Sequence, residues 1–141
     1  MAVAVNIISS VVEDPSQGLD STRTRLIVEG TLTLSGNYGG VASNGDTVSF
    51  AGFDVLKTSL PPVFVEIKEN QGAGVAPLGY GFLYAKGTTL ANGVLTILGT
   101  SAAGGAKVGA TQFTQGDAYS TGTPSLNGAV LRFRAAFVKM V

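Results

Sequence analysis

Residues 26–53 read LIVEGTLTLSGNYGGVASNGDTVSFAGF, and their pattern decides the fold class. Leu26, Val28, Leu32 and Leu34 alternate with Ile27, Glu29, Thr31 and Thr33. That is the period of two expected of a strand with one buried face. Gly36 to Gly45 is rich in Gly, Asn and Ser, which interrupt a strand rather than extend it. Asp46-Thr-Val-Ser-Phe50 then resumes the alternation, with Val48 and Phe50 on one side and Thr47 and Ser49 on the other. A long strand, a loop and a second strand are the start of a β-sandwich or barrel.

Working outward, residues 3–12 alternate weakly, with Val3, Val5 and Ile7 opposite Ala4, Asn6 and Ile8. They predict an N-terminal arm or edge strand that ends at Glu13-Asp14-Pro15, since proline cannot continue a ladder. The arm pairs with its own sheet or reaches onto a neighbour's edge. Downstream, Leu60-Pro61-Pro62 closes a connection. Val63, Val65 and Ile67 then predict a strand with Phe64, Glu66 and Lys68 on its other face. The Gly-rich stretch 70–79 lacks the Gly-Lys-Ser/Thr ending of a phosphate cradle and reads as a surface loop. Tyr80 to Leu98 predicts a hairpin, with Ala91-Asn92-Gly93 supplying the positive-φ residues of the turn.

Residues 99–129 are the least regular part, with a short strand within AKVGATQFT and a long polar loop, GDAYSTGTPSLNG. The final strand is clear: Leu131, Phe133, Ala135 and Phe137 face in, with Arg132, Arg134 and Lys139 toward the other side. About eight short strands separated by turn signals, without an amphipathic helical segment, predict an all-β, single-domain β-sandwich of jelly-roll-like form. The division is residues 1–22 as arm and polar loop, and residues 23–141 as the sandwich.

Composition narrows function mainly by exclusion. The 141 residues contain no Cys and no His, so thiolate chemistry, Ser-His-Asp triads and nearly all zinc-hydrolase sites are excluded. Tryptophan, the ring most used for stacking on sugars, is also absent. Charged residues make up 13%, about half the usual share. So few charges leave apolar surface for another subunit or protein to cover, and self-association is expected. Residues 1–70 carry four cations against eight acids, and residues 71–141 five cations against one acid. These halves either pair within the sandwich or attract between subunits. A net charge of zero leaves no footprint for a phosphate backbone, so no nucleic-acid partner is expected. MAVAVNII has no basic leader and is broken at Asn6, so neither a secretory signal nor a membrane partner is expected.

Three groups of residues remain as candidates. Arg132 and Arg134 stand two apart on one strand and are placed to grip a carboxylate or phosphate, or to pair across the sheet. Tyr80, Phe82 and Tyr84 form either a core row or an exposed ligand platform. Asp46, Asp54, Glu66 and Glu69 are the carboxylates from which a glycosidase pair would have to come, but their spacing carries no signature. Asp14 and Asp20 lack the calcium-loop ladder. No enzyme activity, metal or cofactor is expected.

The stretches VEGTLTLSGNYGGVASNGDTVSF, GTTLANGVLTI and GAVLRFRAAFV resemble small β-rich capsid cement, or decoration, proteins of tailed bacteriophages. The resemblance covers most of the chain from about Gly30 onward, and the N-terminal arm has no matching counterpart. It implies a jelly-roll-like sandwich, assembled as a dimer or trimer, on the outside of an HK97-type shell. The implied partners are the major capsid protein of the same phage and the chain itself, in a virion assembled in the host cytoplasm. Val3, Val5, Ile7, Arg132 and Arg134 are the expected interface residues. The alternatives are a fibre or tip module that holds a host glycan through Tyr80, Phe82, Tyr84 or the 115–128 loop, and a glycan-active enzyme with paired carboxylates.

Overall fold

The computed structural model describes residues 3–13, 23–39, 45–70, 78–99, 111–112, 117–121 and 125–140. Eight strands lie among them. They are β1 (Val3–Glu13), β2 (Arg23–Leu34), β3 (Asp46–Val48), β4 (Phe64–Glu69), β5 (Gly81–Ala85), β6 (Gly93–Gly99), β7 (Thr111–Gln112) and β8 (Val130–Met140), with a 3-10 turn at Tyr119–Thr121. One sheet has the order β1-β2-β8-β4. The other has the order β3-β6-β5, with β7 also paired to β6. Every pairing is antiparallel.

The alternation of the sequence becomes the core. Leu26, Val28, Leu32 and Leu34 of β2 and Leu131, Phe133, Ala135 and Phe137 of β8 are buried, facing Val48, Leu95 and Ile97 of the second sheet. Phe50, just beyond β3, stands edge-on to Phe133 and Phe137 with centroids 5.4 Å apart in each pair, so its ring joins the layers. Two antiparallel sheets around one core make a β-sandwich, as the sequence predicts.

The arm is an edge strand of its own sheet. Val3 lies opposite Leu34, Val5 opposite Leu32 and Ile7 opposite Gly30. The register then shifts between Ile7 and Ser9, so Val11 lies opposite Ile27. This β-bulge adds one residue and reverses which positions face the core beyond it.

Three expectations are corrected. Within the loops read at 36–45 and 115–128, of which residues 36–39, 45, 117–121 and 125–128 are described, Tyr38, Tyr119 and Leu126 are core residues and not polar surface. Their backbones tie the segments together: Tyr38 N–H donates to Asp117 O at 2.9 Å, Tyr119 N–H to Gly36 O at 2.9 Å and Gly128 N–H to Leu34 O at 2.8 Å. In the hairpin, neither Asn92 nor Gly93 is among the positive-φ residues. Asn92 instead accepts Thr89 N–H at 2.9 Å and donates to Thr88 Oγ1 at 3.0 Å. Gly93 is there because a Cβ would collide with the Tyr84 hydroxyl. Val63, expected to face in, precedes β4 and is exposed. The loop holding Asp14 and Asp20, the Gly-rich residues 71–77 and residues 100–110 lie outside the described residues.

Candidate interaction surface

β2, β8 and β4 place Arg25, Glu29, Glu66, Lys68, Arg132 and Arg134 on the outer face of the first sheet. Leu131, Phe133 and Ala135 point inward, so Arg132 and Arg134 between them must point out, and both are exposed. Register places Arg134 between Glu29 and Glu66, and Arg132 between Thr31 and Lys68. Arg134 Nε is 3.8 Å from Glu29 Oε1, and Lys68 Nζ is 2.8 Å from Glu66 Oε1. The Lys68 hydrogen bond, then its charge, holds the Glu66 carboxyl below the usual carboxylate range, and Arg134 adds to this. The arginine pair is therefore split: Arg134 is matched by acids on both neighbouring strands, and Arg132 sits beside an ammonium.

The next row of this face is apolar. Val11, Ile27, Ala136 and Phe64 lie opposite one another across all four strands. Val11 is 64% and Phe64 43% exposed, and Ile8 at the bulge is 67% exposed. A water-facing sheet normally alternates apolar-in with polar-out, so this row departs from the pattern of a free face. Val3, expected at an interface, is only 1% exposed, and Val5 and Ile7 pack against the same core. These three side chains are used within the chain. Ile8, Val11 and Val12 are the large apolar residues that the arm leaves to solvent.

The aromatic row belongs mainly to the core. Tyr80, Phe82 and Tyr84 are half-buried and pack against it, with Tyr84 edge-on to Phe50 at 6.3 Å. The Tyr84 hydroxyl is buried with no hydrogen-bond partner among the described residues, and burial pushes its pKa up to about 12. Tyr80 and Phe82 also line an open cleft of about 640 Å³ at the β4 edge, together with Glu66, Lys68, Arg132 and Arg134.

Of the candidate carboxylates, Glu66 and Glu69 both line this cleft, and Asp46 stands apart from them. Asp46 is 2% exposed and lies among the core residues. It accepts Gly39 N–H at 2.6 Å on one oxygen and the Tyr119 hydroxyl on the other. Burial raises its pKa above the usual value, and the Gly39 bond opposes that rise. Tyr119 stands edge-on to Tyr38 at 6.1 Å, and the Tyr38 hydroxyl accepts Ile97 N–H at 3.2 Å. Asp46 thus pins the two long loops to the second sheet. Glu66 lies on the outer face of the opposite sheet, so the two cannot flank one bond. Glu69 accepts the Leu78 and Gly79 N–H groups at 2.9 and 3.0 Å, closing the loop between them. Among the described residues no group of three or more His, Cys, Asp or Glu is placed to hold a metal ion.

The sequence reading missed the apolar row and the Tyr38–Tyr119–Asp46 cluster. The row was open to discovery through Val11, Ile27, Ala136 and Phe64, but only with the register in hand. Comparison with protein-family models, curated proteins and solved structures gives no match.

Proposed function

We propose that this chain is a structural virion protein, a bacteriophage capsid cement that binds the outside of an HK97-type shell and stabilises contacts between capsomers. The observation that carries the reading is apolar exposure on both outer faces. Ile8, Val11 and Phe64 lie on the first sheet, and Leu83, 56% exposed, lies on β5 of the second. Exposed apolar surface marks contact with another macromolecule. Two such surfaces on opposite layers suit a protein held between its own copies and the major capsid protein. Binding only the assembled shell would stabilise that state by mass action, and joined copies would add avidity.

Quantitative mass spectrometry of virions purified from the source lysate tests this. The chain is expected at a copy number of the same order as the shell protein, and stripped particles are expected to lose their genome at a lower temperature. Absence from particles, or an unchanged release temperature, overturns the reading. The cleft lined by Tyr80, Phe82 and Arg132 favours a second reading, a fibre or tip module for a host glycan. A few copies per particle, with glycan-array binding that Tyr80→Ala abolishes, would support it instead.

A further inference from the structure

We propose that the outer face of the β1-β2-β8-β4 sheet is a two-fold interface joining two copies of this chain, with the Glu29–Arg134 pair of one copy laid head-to-tail on that of the other. The inference does not depend on a capsid role.

Register divides the face into rows, each taking one residue from β1, β2, β8 and β4 in that order. The rows are Val11, Ile27, Ala136, Phe64; then Ser9, Glu29, Arg134, Glu66; then Asn6, Thr31, Arg132, Lys68. A two-fold axis parallel to the strands, passing between β2 and β8, returns each row onto itself in reverse order. Strand β2 then lies over β8 of the second copy, and β1 over β4.

The chemistry of these three rows, the ones that cross all four strands, agrees with that operation, and in the flanking rows Arg25 lies over Val138 and Thr33 over Val130. In the apolar row Val11 meets Phe64, both exposed in a single copy, and Ile27 lies over Ala136, which its own chain already covers. In the next row Glu29 meets Arg134 and Arg134 meets Glu29, so the two pairs close into a ring of four alternating charges. Glu66 meets Ser9. In the third row Arg132 meets Thr31 and Lys68 meets Asn6, so no like charges are opposed. Such self-complementarity is what an isologous interface requires, because both partners present the same patch. An unrelated partner would have to match both the apolar row and the sign order independently.

The size allows this. With strands about 4.8 Å apart, β2 and β8 about 36 Å long and the overlap of β1 with β4 about 20 Å, the footprint is roughly 500 Å², toward the low end against the ~800 Å² per partner of a standard stable interface. Sheets packed face to face keep their strands within about 30° of alignment, which an axis parallel to the strands permits. Val11 and Phe64, which face water in a single copy, become covered.

Sedimentation equilibrium of the full chain over a range of concentrations, with variants, tests the proposal. Wild type is expected to be a dimer. Glu29→Arg places four cations at the centre and Arg134→Glu places four anions there. Each change is expected to raise the dimer Kd by on the order of tenfold or more. An equimolar mixture of the two variants is expected to restore the dimer, because one copy is then doubly positive and the other doubly negative. Val11→Lys alters an exposed side chain and is likewise expected to separate the copies, with an unchanged circular dichroism spectrum; it serves as the test if either charge variant fails to fold. A monomeric wild type, a dimer indifferent to all three changes, or a mixture that stays monomeric would overturn the proposal. None of these outcomes bears on the virion copy number, so the two readings fail separately.

Discussion

Asp46 shows how one side chain can organise distant segments. Its two oxygens hold Gly39, seven residues away, and Tyr119, seventy-three residues away. Neither partner has a local signal in the sequence, which shows only an acid at the start of a strand and tyrosines in Gly-rich loops. The carboxylate itself was legible; its burial was not, because burial is set by what the loops bring over it. The pH consequence has a definite sign. Burial penalises the anion, so the folded pKa lies above the ordinary value of 3.8. The proton-linked stability from this group is fully present below the unfolded value and is lost as pH rises through the folded one. Glu66 has the opposite sign: its contribution is present above 4.5 and is lost as pH falls through its lowered value. Asp46→Asn keeps an acceptor for Gly39 and removes the titration. Urea unfolding at about pH 7 and about pH 4 is expected to show wild type gaining on the variant in acid. A difference that does not change with pH would sink this account of Asp46.

Glycine in a strand interior is ordinarily a weakness, yet Gly30 is central to β2 and lies opposite both Ile7 and Phe133. A Cβ there would collide with the Asn6 carbonyl oxygen and press on the Phe133 ring. The edge strand and the inward aromatic ring therefore approach β2 where it has no side chain, just before the bulge in β1. Gly30→Ala is expected to destabilise the fold by about 1–3 kcal/mol, the usual range for overpacking a core. Gly81→Ala is the control: its Cβ would lie 3.7 Å from Leu98 Cβ, an ordinary contact, and its midpoint is expected to stay close to wild type. Equal midpoints for the two variants in thermal unfolding would argue against the close approach at Gly30. Alternation of residue types made β2, β4 and β8 readable, because each has one buried face. It could not reveal the bulge, since Ser9 and Ser10 are polar on both sides of the strand and carry no phase.

The acid-rich first half and the basic second half meet where β2 and β4 flank β8, with Arg134 beside both Glu29 and Glu66. Complementary composition was visible in the sequence, and pairing within the fold was one of its two readings. The residues that meet were not visible, because they depend on strand order. That order puts β8 at the centre of its sheet, although it is the last strand in sequence. Until β8 forms, β2 and β4 lack their shared neighbour, and the core lacks Leu131, Phe133, Ala135 and Phe137. These pairings are distant in sequence, so loop closure must precede the contacts that reward it, and refolding is expected on the millisecond-to-second scale of non-local β proteins. A chain ending at Ala129 is expected to show no cooperative urea transition and no near-ultraviolet circular dichroism, even though it keeps β3, β5 and β6 intact. The reason lies in the packing: the second sheet is hydrophobic on a face that the β1-β2-β8-β4 sheet covers, with β8 supplying four of the core side chains, and Phe50 would lose Phe133 and Phe137, two of the rings it stands against. A cooperative transition in the shortened chain would mean that the second sheet holds itself together, and the sandwich would then have to be described as two units rather than one.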